Sequence, residues 1–185
     1  MAQNKYDDEK FFGKYAQMYR SQKGLSGAGE WPTLQKMLPD FAGRRVLDLG
    51  CGYGWHCAYA AEQGASEILG IDVSERMIAE ANKRSPDARI CYRVSDLEQY
   101  EYPEETWDCV VSNLALHYIE DLDRIYRNVH RTLKKGGTFL FNIEHPVYTA
   151  REGQDWIFDE NGSPLYWPVD DYFYPGKRHT RFLGC

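Results

Sequence analysis

The nine residues from Val46 to Gly54, VLDLGCGYG, constrain the fold more than any other part of the chain. An apolar run carries Asp48 near its end, and glycines follow at positions 50, 52 and 54. This spacing is typical of a buried strand that enters a turn whose backbone conformations side chains disfavour. A turn without side chains lets a ligand contact main-chain atoms. The segment therefore predicts an α/β fold with a ligand at the end of its first strand.

Two classes of cofactor use such a turn. The dinucleotide fingerprint G-x-G-x-x-G needs a third glycine for close packing of helix on strand, and here that position is Trp55. Asp48 would also repel a pyrophosphate at the helix N-terminus. A cationic cofactor without phosphate avoids both conflicts. Asp48 would attract its ammonium group directly or through water, while the main chain of Gly50 and Gly52 lies against it.

The pattern D-x-G-x-G-x-G at positions 48 to 54 resembles motif I of the class I S-adenosylmethionine-dependent methyltransferases. Further matches extend from about residue 12 to residue 145, and the ubiquinone and menaquinone biosynthesis group is similar. The resemblance implies S-adenosylmethionine as the cofactor, S-adenosylhomocysteine as its product, and methyl transfer to a small-molecule acceptor. It also implies that Cys51 and Gly54 belong to the cofactor turn.

Strand-like apolar runs alternate with helical patterns from Arg44 to Asn142, which predicts successive βαβ units and a mostly parallel sheet. The predicted strands are Arg45–Leu49, Glu67–Ile71, Ile90–Val94, Trp107–Ser112 and Thr138–Asn142. The predicted helices are Asp8–Tyr19, Trp31–Leu38, Trp55–Gln63, Ser74–Lys83 and Leu122–Lys134. The expected architecture is a Rossmann-like, doubly wound, three-layer α/β/α sandwich.

Three regions are expected along the chain. Residues 1–43 form N-terminal helices over the cofactor, residues 44–145 form the cofactor-binding core, and residues 146–185 form an aromatic substrate lid or interface. Within the last region, 156–158 and 165–167 predict a short hairpin around an Asn-Gly turn. The family normally has two further strands after the fifth. The sequence therefore favours a truncated chain over a substitute formed by the hairpin.

Side chains at the ends of the second and third strands are the next candidates. Asp72 follows Gly54 by 18 residues, a spacing that suits a carboxylate bonded to both ribose hydroxyls. Its simpler interpretation is a cap for the following helix. Val73 adjoins it, and Met77 has the length to lie on an adenine face or to fill the core. The resemblance places Ser95, Asp96 and Leu97 at the adenine amino group and ring nitrogen.

The fourth and fifth strands end in further candidates. Asn113 and Leu114 resemble the end of motif IV, and Asn113 and His117 are expected to face the transferred methyl group. His117 is either a general base or a residue that orders a helix N-terminus. Glu144 and His145 leave the fifth strand at the same edge and could deprotonate or orient the acceptor.

Aromatic residues in the first predicted helix form one more candidate group. Phe12, Tyr15 and Tyr19 recur at helical spacing, which indicates a single face. In the family such a helix often covers the cofactor, and a tyrosine hydroxyl can reach its methionine carboxylate. Tyr15 and Tyr19 are therefore assigned to cofactor binding. A plain packing stripe explains the same spacing.

Bulk composition narrows the function further. The net charge of −6, with 22 Lys plus Arg against 28 Asp plus Glu, disfavours nucleic-acid binding. The five cysteines are scattered and predict reduced thiols rather than disulfides or a zinc site. No cluster suggests a metal. The polar N-terminus and the absence of a long apolar run predict a cytoplasmic protein without a membrane partner, and the aromatic tail leaves a homodimer open.

Two alternatives to the methyltransferase hypothesis follow from these features. A noncatalytic domain that binds S-adenosylmethionine as a sensor or partner subunit would explain the shortened sheet and predicts binding without turnover. A nicotinamide-dependent oxidoreductase would use the same first turn, but Trp55 and Asp48 count against it.

Overall fold

A computed structural model describes residues 4–170, 172–174 and 182–184 of the chain. Its main strands are β1 (Arg45–Leu49), β2 (Glu67–Asp72), β3 (Ile90–Val94), β4 (Trp107–Asn113) and β5 (Leu133–Asn142), and a small hairpin contains β6 (Ile157–Phe158) and β7 (Pro164–Tyr166). The α-helices are α1 (Glu9–Ala16), α2 (Tyr19–Lys23), α3 (Trp31–Met37), α4 (Trp55–Glu62), α5 (Glu75–Arg84) and α6 (Leu122–Thr132).

Strands β1 to β5 form one parallel sheet in the order β3-β2-β1-β4-β5. β1 pairs with β2 on one side and with β4 on the other, so the strand order reverses beside β1. In open parallel sheets, ligands bind outside the carboxyl ends of the strands at such a reversal. The glycine turn leaves β1 at this point. The predicted fold class is confirmed.

Alternating strand residues build a core on each face of the sheet. On one face Leu47 and Val110 pack with Ile125 of α6, and on the other Val46 and Cys109 pack in the core that includes α4 and α5. This alternation follows from the two-residue period of a strand. Because both faces are covered, the residues that remain available for a ligand are those at the strand ends.

Two predicted helices are wrong in extent. The predicted helix Asp8–Tyr19 is two helices, because Met18 adopts an extended conformation (ψ 144°) that ends the helical hydrogen bonding, and α2 begins at Tyr19. The last predicted helix, Leu122–Lys134, ends at Thr132, where Leu133 pairs with Trp107 and begins β5 instead.

A short segment before α1 is anchored to the start of α5. Oδ1 of Asp7 accepts hydrogen bonds from Oγ of Ser74 at 2.6 Å and from the Arg76 backbone N–H at 3.1 Å. A carboxylate there satisfies orphan donors and complements the helix dipole. Asn4 adds a weaker bond from its side-chain amide to the Val73 carbonyl, at 3.4 Å. The N-terminal segment therefore lies beside the end of β2.

The structure divides into one compact unit that ends at Ile143 and a second that begins at Glu144. In the second unit, β6 and β7 pair antiparallel, which confirms the predicted hairpin within one residue at each strand. They form a separate two-stranded sheet and do not extend the five-stranded one. The indole of Trp167 stacks on Tyr148 and donates a hydrogen bond to the Val147 carbonyl at 3.2 Å.

The helices that the structure describes include none long and apolar enough to cross a membrane. Four cysteines (Cys51, Cys57, Cys91 and Cys109) are free thiols, as expected from their spacing. The fifth, Cys185, lies outside the described residues.

Candidate functional site

The turn after β1 offers an open main-chain surface at Gly52. Its φ is +51°, a left-handed conformation, and a Cβ built there would meet no heavy atom within 4 Å. Gly54 is different, because a Cβ there would lie 2.2 Å from the hydroxyl oxygen of Tyr92. Gly52 thus leaves room for a ligand on the open side of the turn, and Gly54 permits close packing of the turn against Tyr92.

Trp55, at the third glycine position of the dinucleotide pattern, begins α4. Its ring packs against Gly24, and the Arg84 guanidinium lies 5.3 Å from the ring centroid. The close approach of helix to sheet, marked by the contact with Tyr92, occurs one residue earlier, at Gly54, where the dinucleotide pattern has no glycine.

Asp72 joins the glycine turn to the start of α5. Its Oδ2 accepts the Gly52 backbone N–H and its Oδ1 accepts the Ser74 backbone N–H, each at 2.9 Å. Burial raises the pKa of Asp72, although these backbone bonds oppose the shift. Each carboxylate oxygen retains a further acceptor position. The group can therefore bond two vicinal hydroxyls, the chemistry that a ribose needs.

The candidates after β3 lie at the same edge of the sheet. The Ser95 N–H donates to the Asp72 carbonyl at 2.8 Å, which draws the ends of β2 and β3 together. Oδ1 of Asp96 accepts the Glu98 N–H at 2.9 Å, and Leu97 is buried. Met77 is also buried, so core packing accounts for it in the structure.

Asp48 is buried beneath the turn, with 1% of its surface exposed. The thiol of Cys57 donates to its Oδ2 at 3.3 Å. Burial raises the pKa of Asp48 to about 7, against the lowering effect of the Cys57 bond. The carboxyl group is thus shielded from solvent, and its proposed attraction for an ammonium group stays a prediction.

At the ends of β4 and β5, polar side chains form a connected network. The Asn142 side-chain amide donates to Oδ1 of Asn113 at 2.8 Å, and the Asn113 amide donates to Oε1 of Glu30 at 3.0 Å. Arg20 forms an ion pair with the same Glu30 oxygen. The structure therefore places Asn113 at the strand edge as predicted, and adds three partners that sequence reasoning missed.

His117 lies in a single 3₁₀ turn after β4. Its Nδ1 is buried and has no hydrogen-bond partner within the described part of the chain, and it caps no helix there. Burial lowers the pKa of His117, which keeps the imidazole neutral near pH 7. Leu114, just before it, has a φ of +55° and donates its N–H to the Asn142 carbonyl at 2.8 Å.

Glu144 and His145 begin the second compact unit. There, Nδ1 of His145 accepts the Val147 N–H at 3.2 Å, and the imidazole ring lies parallel to Tyr172 with centroids 6.3 Å apart. Their assignment to the acceptor stays a prediction.

Among the N-terminal aromatics, Tyr15 faces the site edge and Tyr19 does not. Tyr15 contacts Tyr53 and Tyr6 edge-on, and the charge of Asp72 contributes to raising its pKa, behind burial. Tyr19 begins α2 and is 66% exposed, so the expected common face is wrong for that residue. Tyr6, which sequence reasoning missed, bonds the Tyr118 hydroxyl at 3.2 Å.

The methyltransferase domain family matches residues 47–141, just over half of the 185-residue chain. This span runs from the first core strand through the fifth. The chain belongs to the S-adenosylmethionine-dependent methyltransferases. Its cofactor is therefore S-adenosylmethionine, and the glycine turn with Asp72 provides a suitable open backbone and carboxylate.

Solved structures agree with this membership. A candidate S-adenosylmethionine-dependent methyltransferase from Listeria monocytogenes is 51% identical, with a TM-score of 0.77 over 84% of this chain and 73% of that one. An S-adenosylmethionine-dependent methyltransferase from Mesorhizobium loti is 47% identical, with a TM-score of 0.79 over 86% and 73%. Among relatives found by sequence, phosphoethanolamine N-methyltransferase 3 of Arabidopsis thaliana is 31% identical over 80% of this chain and 31% of its own length.

Alanine at Gly52 is expected to weaken cofactor binding by the methyltransferase more than it weakens the fold. The new methyl group would enter the open space above the turn. Gly43→Ala is the matched control, because Gly43 also has positive φ (+69°) and open surroundings but precedes β1. Both variants should lose about 1 kcal/mol of stability. Calorimetry with S-adenosylhomocysteine should show weaker binding only for Gly52→Ala, and equal affinities would place the ligand elsewhere.

Proposed function

We propose that this methyltransferase transfers its methyl group to a small-molecule acceptor that binds over the carboxyl ends of β4 and β5. The observation that carries the proposal is the division of polar groups around β1. Gly52 and Asp72 lie at the ends of β1 and β2, whereas Asn113 and Asn142 lie at the ends of β4 and β5. A cofactor on the first pair leaves the second pair for an acceptor.

The cofactor supplies a methyl group on a positively charged sulfur. The chain's own residues are proposed to hold and align the two reactants. Asp72 would bond the ribose hydroxyls, Asp96 the adenine amino group, and the Gly50 to Gly54 main chain the remaining edge. Cys51, Val73, Ser95, Leu97 and Leu114 would line this surface.

His117 is proposed to receive a proton from the acceptor at its imidazole ring. Its pKa is lowered by burial, so the ring is neutral and able to accept at pH 7. Glu144 and His145 are proposed as further groups that orient the acceptor.

Tyr6, Tyr15 and the helices before β1 are proposed to cover the cofactor. Tyr6 packs edge-on against Tyr15. The neighbouring Asp7 bonds Ser74, whose backbone N–H donates to Asp72.

Relatives and charge support a small acceptor. The name of the Arabidopsis relative includes phosphoethanolamine, which is a small molecule. The net charge of −6 would oppose binding of the backbone of a nucleic acid. The aromatic hairpin unit is proposed as a lid or a homodimer contact, and a cytoplasmic location is proposed on the same grounds of composition.

The proposal is tested by following the methyl group. Calorimetry should first give micromolar binding of S-adenosylhomocysteine, roughly −8 kcal/mol, and no binding of NADH. A cell extract is then divided by ultrafiltration, and each fraction is incubated with the enzyme and methyl-labelled S-adenosylmethionine. Label should move to compounds in the filtrate. Transfer to retained macromolecules, or none with either fraction, would contradict the proposal.

His117→Ala is expected to bind S-adenosylhomocysteine within a few fold of wild type but to lower turnover on the filtrate roughly 10²-fold or more. His130→Ala is the matched control, because His130 is exposed on α6. Equal losses of cofactor binding and turnover would show that His117 belongs to the cofactor site instead.

A further inference from the structure

The Arg20, Glu30, Asn113 and Asn142 network connects distant parts of the first compact unit. Arg20 lies on α2, Glu30 precedes α3, and the two asparagines end the paired strands β4 and β5. Asn113 and Asn142 are also register partners, so their side chains meet without distortion of the sheet.

The direction of the network is set by Glu30. A carboxylate only accepts hydrogen bonds, so Asn113 must turn its amide nitrogen toward Glu30. The side-chain oxygen of Asn113 then faces Asn142, which must donate a hydrogen bond to it from its own amide nitrogen. The side-chain oxygen of Asn142 is then the last atom of the hydrogen-bond network, and it makes no further hydrogen bond within the described residues.

Glu30 is suited to act as the fixed end. Burial raises its pKa, but the Asn113 bond and the charge of Arg20 outweigh that effect and hold the pKa below its ordinary value. The residue is therefore ionised at neutral pH and remains an acceptor. An asparagine pair without such an anchor could reverse both amides at little cost.

We propose that Glu30 is a positioning residue that orients the Asn142 side chain so that its oxygen, Oδ1, faces the methyl acceptor. This orientation selects acceptors with an O–H or N–H. The inference rests on the proposed function, because it takes the ends of β4 and β5 as the acceptor site. Asn142 is partly exposed, as such a contact needs.

The same geometry distinguishes an alcohol from its methylated product. In the ground state an alcohol donates its hydrogen to Oδ1 of Asn142, and its hydroxyl turns to His117 only for methyl transfer. The corresponding methyl ether has no such hydrogen and would set two acceptor oxygens against each other. The site would thus hold an unmethylated hydroxyl and disfavour the ether.

The test uses the protein loaded with S-adenosylhomocysteine and two probes, phenol and anisole, which differ by one O-methyl group. Binding is followed by NMR through the Asn142 side-chain amide. Wild type should bind phenol at least about fivefold more tightly than anisole. Glu30→Leu should reduce this ratio below about twofold, because the amides can then reverse. Glu67→Leu is the matched control, since Glu67 forms an exposed ion pair with Arg45.

A wild-type ratio near one, no response of Asn142 to phenol, or an unchanged ratio in Glu30→Leu would overturn the inference. If Glu30→Leu does not fold, Asn142→Leu replaces it, with Asn113 as the reporter, and should also remove the preference. The measurement needs no turnover, so a failure of methyl transfer to small molecules leaves its result readable. An equal loss of both probes would indicate a merely structural role for Glu30.

Discussion

Replacing Asp72 with alanine is expected to weaken S-adenosylhomocysteine binding at least 100-fold, about 3 kcal/mol. Two contributions add. The variant removes the acceptor proposed for the ribose hydroxyls, and hydrogen bonds to a charged group contribute roughly 1.5–3 kcal/mol each. It also frees the backbone N–H groups of Gly52 and Ser74, which the carboxylate holds at 2.9 Å. Calorimetry at pH 7 measures the affinity.

Two variants separate these contributions. Asp72→Asn retains one acceptor oxygen and should bind with intermediate affinity. Asp87→Ala is the matched control, because Asp87 also accepts a backbone N–H at 2.9 Å, from Arg89, but lies beyond α5. Its affinity should equal that of wild type. Binding by Asp72→Ala within about fivefold of wild type would remove Asp72 from the cofactor site.

The largest pH effect is expected from Asp48. Its pKa is raised by burial to about 7 in the folded protein, from an ordinary value of 3.8. Between these pH values the folded state holds a proton that the unfolded chain has released. The free energy of unfolding therefore falls as pH rises from about 4 to 7 and levels off above 7. From pH 5 to 8 the expected decrease from this group is about 3 kcal/mol.

Asp48→Asn isolates this contribution because it cannot ionise. Its stability relative to wild type, measured by urea unfolding, should increase by about 3 kcal/mol between pH 5 and 8. Asp108→Asn is the control. Burial raises the pKa of Asp108, but hydrogen bonds from the Arg45 N–H and Lys134 outweigh burial and hold the pKa below its ordinary value. Asp108 therefore stays ionised across this range. A constant difference between Asp48→Asn and wild type would show that Asp48 is ionised throughout.

Local pattern was sufficient for the sheet. The five parallel strands were predicted because short apolar runs alternate along the sequence with segments of helical period. Each of these two signals is contained within a few neighbouring residues. The glycine turn and Asp72 followed from the same logic, since parallel strands bring their carboxyl ends to one edge. Asn142 ends a predicted strand, so the signal that identified Asn113 could also have identified it.

Contacts between distant segments were not predictable in this way. Glu30 meets Asn113 across 83 residues, and neither residue lies in a pattern that refers to the other. The break at Met18 depends on one backbone angle, and no proline or glycine marks it. The contact of Trp55 with Gly24 is of the same kind, because the motif position of Trp55 is visible in the sequence but the segment that its ring packs against is not.

The bond between Asp7 and the start of α5 bears on the order in which the protein assembles. Asp7 is separated by 67 residues from Ser74 and by 69 from Arg76. Contacts of such long sequence separation form late, because much chain entropy must be lost first. The N-terminal segment must therefore wait for β2 and α5 before it can settle. The edge of the cofactor site beside β2 would be among the last parts of the first unit to form during folding.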